Sequence, residues 1–132
     1  MNKRILVIDD DRAIRQSFIL ALDDTDYIVE TAESGEAGLQ MINENTYNLV
    51  MLDLKMPGMD GIQTLIELRK VNKELMVYIV TAFHEEFFER LQKAQQDGLS
   101  FGILRKPLGS TQILSIVKGL LDDSIVTIEK DC

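Results

Sequence analysis

Short apolar runs alternate along the chain with longer stretches in which apolar residues recur at helical spacing. Ile5 to Ile8 is continuously apolar and stops at Asp9. Tyr27 to Val29 is a second, weaker run. Leu49 to Leu52 stops at Asp53, Met76 to Val80 stops at Thr81, and Phe101 to Leu104 stops before Arg105 and Lys106. Runs of four or five apolar, often β-branched residues predict strands buried on both faces, as in a parallel sheet.

The stretches between them predict helices. Ile113, Ile116, Val117, Leu120 and Leu121 fall on one helical face, with Ser110 the expected N-cap. Phe87, Leu91 and Ala94 form a second stripe, and Gly98 suits the residue just past its end. Ile62, Leu65 and Ile66 begin a third. Ile14, Phe18, Ala21 and Leu22 make another, and Ala37, Met41 and Ile42 the last, with Ser34 as its cap. The order is β-α repeated five times, which predicts an α/β domain with a parallel sheet, helices on both faces and right-handed crossovers. In open sheets of this kind, sites form beyond the carboxyl ends of the strands.

Composition narrows the possibilities. A chain of 132 residues fits one domain, here expected over residues 1–121 with a tail or linker over 122–132. A formal net charge of −8 argues against direct nucleic-acid binding or an anionic membrane surface. No apolar run reaches the ~18 residues of a membrane span. The apolar run near the N-terminus is too short for a signal peptide. The one cysteine, Cys132, cannot form an internal disulfide, so a cytoplasmic home is expected.

The residues that stop the strands carry the chemistry. If the strands are parallel, Asp9, Asp10, Asp11, Asp53, Thr81 and Lys106 converge on one edge of the sheet. Two carboxylates ~5 Å apart repel by roughly 3 kcal/mol at an effective dielectric of ~20, so the grouping calls for a cation. Hard oxygen ligands with open positions suit Mg²⁺. A phosphoryl group would then meet two positive partners, the metal and Lys106, and a hydroxyl donor in Thr81, which is most of what phosphoryl transfer needs. An Asp after a strand is commonly a turn residue or a helix cap, and that is the expected role of Asp11.

The segments Ile5-Leu6-Val7-Ile8-Asp9-Asp10-Asp11, Leu52-Asp53-Leu54-Lys55-Met56-Pro57-Gly58-Met59-Asp60-Gly61, Val80-Thr81-Ala82 and Lys106-Pro107 occur in that order. Together they resemble the receiver domains of two-component response regulators, from about Lys3 to Leu121. The stretch from Asp53 to Gly61 is the most specific of them. The resemblance implies a flavodoxin-like (βα)5 doubly wound sheet with strand order 2-1-3-4-5. It implies that Asp53 accepts a phosphoryl group from a histidine kinase or histidine phosphotransfer protein. Asp10 would bind Mg²⁺ directly, Asp9 mostly through water, and Lys55 through its backbone carbonyl. Lys106 would pair with Asp53 and then with the phosphoryl oxygens, and Thr81 would move toward them on activation. A cis Lys106-Pro107 bond is implied as well, and Pro57 and Gly58 would serve the turn after Asp53. The output is a switched protein-binding surface, expected on the Phe87 helix, the Phe101 strand and the Ile113 helix, for a downstream protein that the sequence does not name.

One position departs from the pattern. Family members usually carry Tyr or Phe three residues before the Lys, as a switch residue coupled to the Thr; here it is Ile103, with Phe101 two residues further back. Phe83, two residues after Thr81, and the long Lys55 side chain are expected to tune hydrolysis of the acyl phosphate. His84 reads as an exposed loop residue. Phe87 and Phe88 are adjacent, so one helix stripe does not bury both. Ile125 to Ile128 is strand-prone and suits an edge strand, a homodimer contact or a linker.

Two rival functions can be framed. A phosphatase with an Asp nucleophile, of the haloacid-dehalogenase kind, would use Asp9-Asp10-Asp11. It would want Thr or Val where Ala13 stands, and it leaves the Asp53 stretch unexplained. A degenerate receiver would bind partners without phosphorylation, against which Asp10, Asp53, Thr81 and Lys106 all argue.

Overall fold

A computed structural model of the chain describes residues 2–82 and 85–122. Phe83, His84, Ile125 to Ile128 and Cys132, with the expectations attached to them, lie outside the described residues.

Among the described residues, five strands and five helices alternate: β1 (Arg4–Ile8), α1 (Arg12–Ala21), β2 (Ile28–Ala32), α2 (Gly35–Glu44), β3 (Leu49–Asp53), α3 (Gly61–Val71), β4 (Met76–Thr81), α4 (Phe88–Gln96), β5 (Gly102–Arg105) and α5 (Ser110–Leu121). The strands form one parallel sheet in the order β2-β1-β3-β4-β5, as the resemblance implied.

Alternation along the central strands divides the core. Leu6, Ile8, Val50 and Leu52 face the side built by α2, α3 and α4, where Leu65, Leu68 and Leu91 meet them. Ile5, Val7, Leu49 and Met51 face α1 and α5, against Phe18, Leu22, Ile113 and Val117. Full burial of one such side chain contributes about 1.5–3 kcal/mol, so β1 and β3 anchor the domain. The two-sided burial expected of every strand holds there but not at the sheet edges, where β2 and β5 are half-exposed.

The edges account for the displaced boundaries. The second strand runs Ile28–Ala32 rather than Tyr27 to Val29, because an edge strand tolerates Glu30 and Thr31. Glu30 there accepts from Arg4 at 2.6 Å and from the Tyr47 hydroxyl at 2.5 Å. The fifth strand begins at Gly102, leaving Phe101 before it. A Cβ at residue 102 would lie 2.2 Å from the Tyr78 ring, so the glycine admits that ring against the strand.

Helix ends follow local hydrogen bonding. Ser34 caps α2 by accepting from the Ala37 N–H, as expected. Ser110 does not cap α5. Gly109 holds that position in extended backbone, and the Gln112 side chain reaches back to accept its N–H at 2.8 Å. The stripe assigned to a helix through Phe87 divides: Glu85–Phe87 is a 3-10 turn and α4 starts at Phe88. Phe87 is buried and Phe88 exposed, so the adjacent pair does split. Gly98 follows α4 with φ +86°, the left-handed conformation of a helix terminator.

Arg69 in α3 gave no signal in the sequence. It is buried, and its guanidinium donates to the carbonyls of Leu75 at 2.6 Å and Ser100 at 2.7 Å. It thereby joins the chain entering β4 to the chain entering β5. Burial pulls its pKa below the usual arginine value.

Candidate functional site

Parallel strands place their carboxyl ends along one edge, and the expected chemistry collects there. Asp53 is the last residue of β3 and Thr81 the last of β4; both are buried. Asp9, also buried, follows β1 directly, with its N–H on the Ala32 carbonyl at 3.1 Å. One Asp9 carboxylate oxygen accepts from the Asp11 N–H at 2.9 Å. Asp11 itself caps α1 by accepting from the Ala13 N–H. It therefore has the structural role expected of it, and the acid cluster is Asp9, Asp10 and Asp53.

One carboxylate oxygen from each of these three lies within 4.8 Å of the others, with Asp10 exposed and the other two buried. Lys106 closes the group. Its ammonium lies 3.0 Å from Asp53 Oδ1 and 3.1 Å from Asp9 Oδ2. Its backbone N–H donates to the Thr81 carbonyl at 2.8 Å, which ties it to the end of β4. The Lys106-Pro107 bond is cis.

The electrostatics follow from crowding. Burial, and then the neighbouring Asp9 charge, push the Asp53 carboxyl up to about 6 against the pull of Lys106. Burial alone would lower Lys106, but the charges and hydrogen bonds of Asp53 and Asp9 outweigh it and hold the ammonium above the usual lysine value. Three carboxylates against one ammonium leave a surplus of negative charge among hard oxygen donors, a set that could hold a metal ion.

The backbone after Asp53 is shaped for this edge. Gly58 has φ +74° in the turn, and the Gly61 N–H donates to the Leu54 carbonyl at 2.8 Å. A Cβ at residue 61 would lie 2.3 Å from the Asp53 carbonyl oxygen, so α3 approaches the strand only through glycine. Asp60 caps α3 in a capping box with Gln63.

Ile103 is half-exposed on β5. It shares a cavity of about 420 Å³ with Thr81, lined further by Leu54, Phe88, Leu91, Gln92 and Gln95. Phe101 is not in that lining. It lies on a separate cavity beside Arg69 and Tyr78. The structure thus brings Ile103, not Phe101, to the Thr81 cavity. Lys55 points its ammonium at Glu86, 3.0 Å away in the 3-10 turn before α4. Arg90 grips Asp60. Neither Glu86 nor Arg90 was singled out from the sequence, since ion pairs between residues about thirty positions apart leave no local pattern. The Asp60-x-x-Gln63 box was readable.

The sequence pattern of the response regulator receiver domain matches residues 5–118. The chain belongs to that family. The response regulator MprA of Mycobacterium sp. (strain KMS) is 36% identical over 121 residues, covering 92% of this chain and 51% of that protein. The chain thus spans about half the length of the curated relatives it matches. Among solved structures, the CheY-like receiver domain protein of Methanospirillum hungatei JF-1 superposes with a TM-score of 0.81 at 30% identity, covering all of both chains. The response regulator TrrA of Thermotoga maritima, solved in complex with Mg²⁺ and BeF, gives a TM-score of 0.74 at 32% identity, covering 90% of this chain and 99% of that one. Among the described residues, no helix of this receiver domain is long and apolar enough to cross a membrane.

Proposed function

We propose that this receiver domain accepts a phosphoryl group on Asp53 from a histidine kinase or histidine phosphotransfer protein, with Mg²⁺ held by Asp9, Asp10, Asp53 and the Lys55 backbone carbonyl. The observation that carries this reading is the sharing of one ammonium, Lys106, by Asp9 and Asp53, with Asp10 beside them. The solved relative with Mg²⁺ and BeF supports it.

An Asp53 carboxylate oxygen forms the new O–P bond as the donor's N–P bond breaks, and the departing imidazole nitrogen takes up a proton. Lys106 is already on the Asp53 carboxylate, so it can follow the charge from carboxylate to phosphoryl oxygen with little reorganisation. Thr81, one strand over, supplies a hydroxyl to a phosphoryl oxygen. When bound, Mg²⁺ contributes positive charge that screens the carboxylates from the incoming group. The added charge then biases the surface of α4, β5 and α5 toward a downstream protein partner.

Intact mass after incubation with acetyl phosphate, with and without Mg²⁺, tests this. A Mg²⁺-dependent gain of one phosphoryl group, lost in Asp53→Asn, is expected. A folded wild type that gains nothing would leave a phosphorylation-independent binding module as the function.

A further inference from the structure

Lys55 follows Asp53 by only two residues, and its ammonium is the cation that the acceptor segment itself could offer the acid cluster. Lys106 is spent on Asp9 and Asp53, whereas Lys55 Nζ lies 3.0 Å from Glu86 Oε1, across the gap to the 3-10 turn that precedes α4. We propose that Glu86 is a positioning residue that holds the Lys55 ammonium away from Asp9, Asp10 and Asp53, so that a divalent cation and not a second lysine neutralises them. This rests on the receiver reading above.

The reasoning is electrostatic. Three carboxylates and one ammonium leave the pocket with a negative surplus, and that surplus attracts any mobile cation within reach. A lysine is a compact charge on a flexible stem with many rotamers. Tied to the backbone next to the acceptor, it competes with Mg²⁺ at a high effective concentration. A second lysine also suits the cluster poorly, since it brings one charge where a divalent ion brings two. Glu86 gives the ammonium a partner on the far side.

Both side chains of the pair are more than half exposed, and such pairs contribute little to folding. The consequence of the pair therefore lies in where it keeps the ammonium. It also marks the 3-10 turn as part of the metal site's surroundings, although no residue of the turn belongs to the proposed ligand set.

The test is a Mg²⁺ titration of the full chain by calorimetry at low ionic strength, on wild type, Glu86→Gln, Lys55→Gln and the double variant. The Lys55 change leaves the backbone carbonyl in place. Glu86→Gln is expected to weaken Mg²⁺ binding about twofold to fivefold, an effect that shrinks with added salt. Adding Lys55→Gln is expected to restore wild-type affinity or better. The inference is overturned if Glu86→Gln binds as wild type does, or if the double variant stays as weak as Glu86→Gln, which would mean that the Glu86 charge acts on the metal directly. Failure of the wild type itself to bind Mg²⁺ would overturn the Mg²⁺-dependent phosphoacceptor reading, and this inference with it.

Discussion

Arg90 in α4 holds Asp60, the N-cap of α3, with both terminal nitrogens, at 2.8 and 3.2 Å. Its guanidinium carbon also lies 5.6 Å from the Phe87 ring centre. Asp60 thus serves two helices, capping one and tethering the other. Asp60→Ala is expected to cost about 1–2 kcal/mol, because it removes the cap. Arg90→Ala is expected to cost less, about 0.5–1 kcal/mol, because that side chain is half-exposed. A double-mutant cycle by urea unfolding checks this: a double variant no worse than Asp60→Ala means that Arg90 acts only through Asp60.

Asp53 is expected to destabilise the metal-free fold at neutral pH. Its folded-state pKa of about 6 lies above the ordinary 3.8, so the folded chain binds the proton more tightly than the unfolded one does. By linkage, the penalty is absent below about pH 4, grows as pH rises through that interval, and is complete above about pH 6. Asp53→Asn is therefore expected to raise Tm at pH 7 by roughly 3–8 °C in the presence of a chelator, and to have little effect at pH 3.5. Paired melting curves at the two pH values decide it.

Lys106 is expected to behave oppositely. Its raised pKa means that the protonated ammonium stabilises the fold while its carboxylate partners are ionised, a contribution that is also lost as pH climbs beyond the ordinary lysine range. Lys106→Met leaves Asp9 and Asp53 without their shared cation, at an expected cost of roughly 1–3 kcal/mol at pH 7. The loss is expected to shrink near pH 5, where Asp53 takes up a proton, and to be partly recovered by millimolar Mg²⁺. A Tm that is equally low under all three conditions would refute the electrostatic account.

Two glycines in helices are expected to respond in opposite senses. Gly61→Ala drives a Cβ into backbone atoms of Asp53 and Leu54, which no rotamer change relieves. It is expected to cost about 1–3 kcal/mol and to slow phosphoryl labelling by moving the acceptor. Gly119, in α5, has open space around its Cβ position. Gly119→Ala is expected to stabilise by about 0.4–1 kcal/mol with unchanged labelling. Melting curves and labelling rates on both variants provide the check.

The central strands were legible because burial on two faces demands unbroken apolar runs, as at Ile5 to Ile8 and Leu49 to Leu52. The edge strands were legible with displaced bounds, since one solvated flank admits Glu30 and Arg105 and blurs the pattern. Ser34 acts as read because a cap is a three-residue affair. Ser110 does not, because Gln112 offered its neighbour Gly109 an equivalent bond.

By itself the sequence determined the five-fold alternation, the two faces of the core and the residue types that end each strand, all consequences of spacing along the chain. Only the tertiary structure decided which of those ends meet. Lys106 and Asp9 are 97 residues apart in the chain, yet Lys106 Nζ lies 3.1 Å from Asp9 Oδ2, because the parallel sheet lays β1, β3, β4 and β5 side by side. The same packing gathered Asp9, Asp10 and Asp53, set Ile103 against the Thr81 cavity, and turned Lys55 toward Glu86. Such partners are chosen by distance across the fold, and periodicity carries no record of that distance.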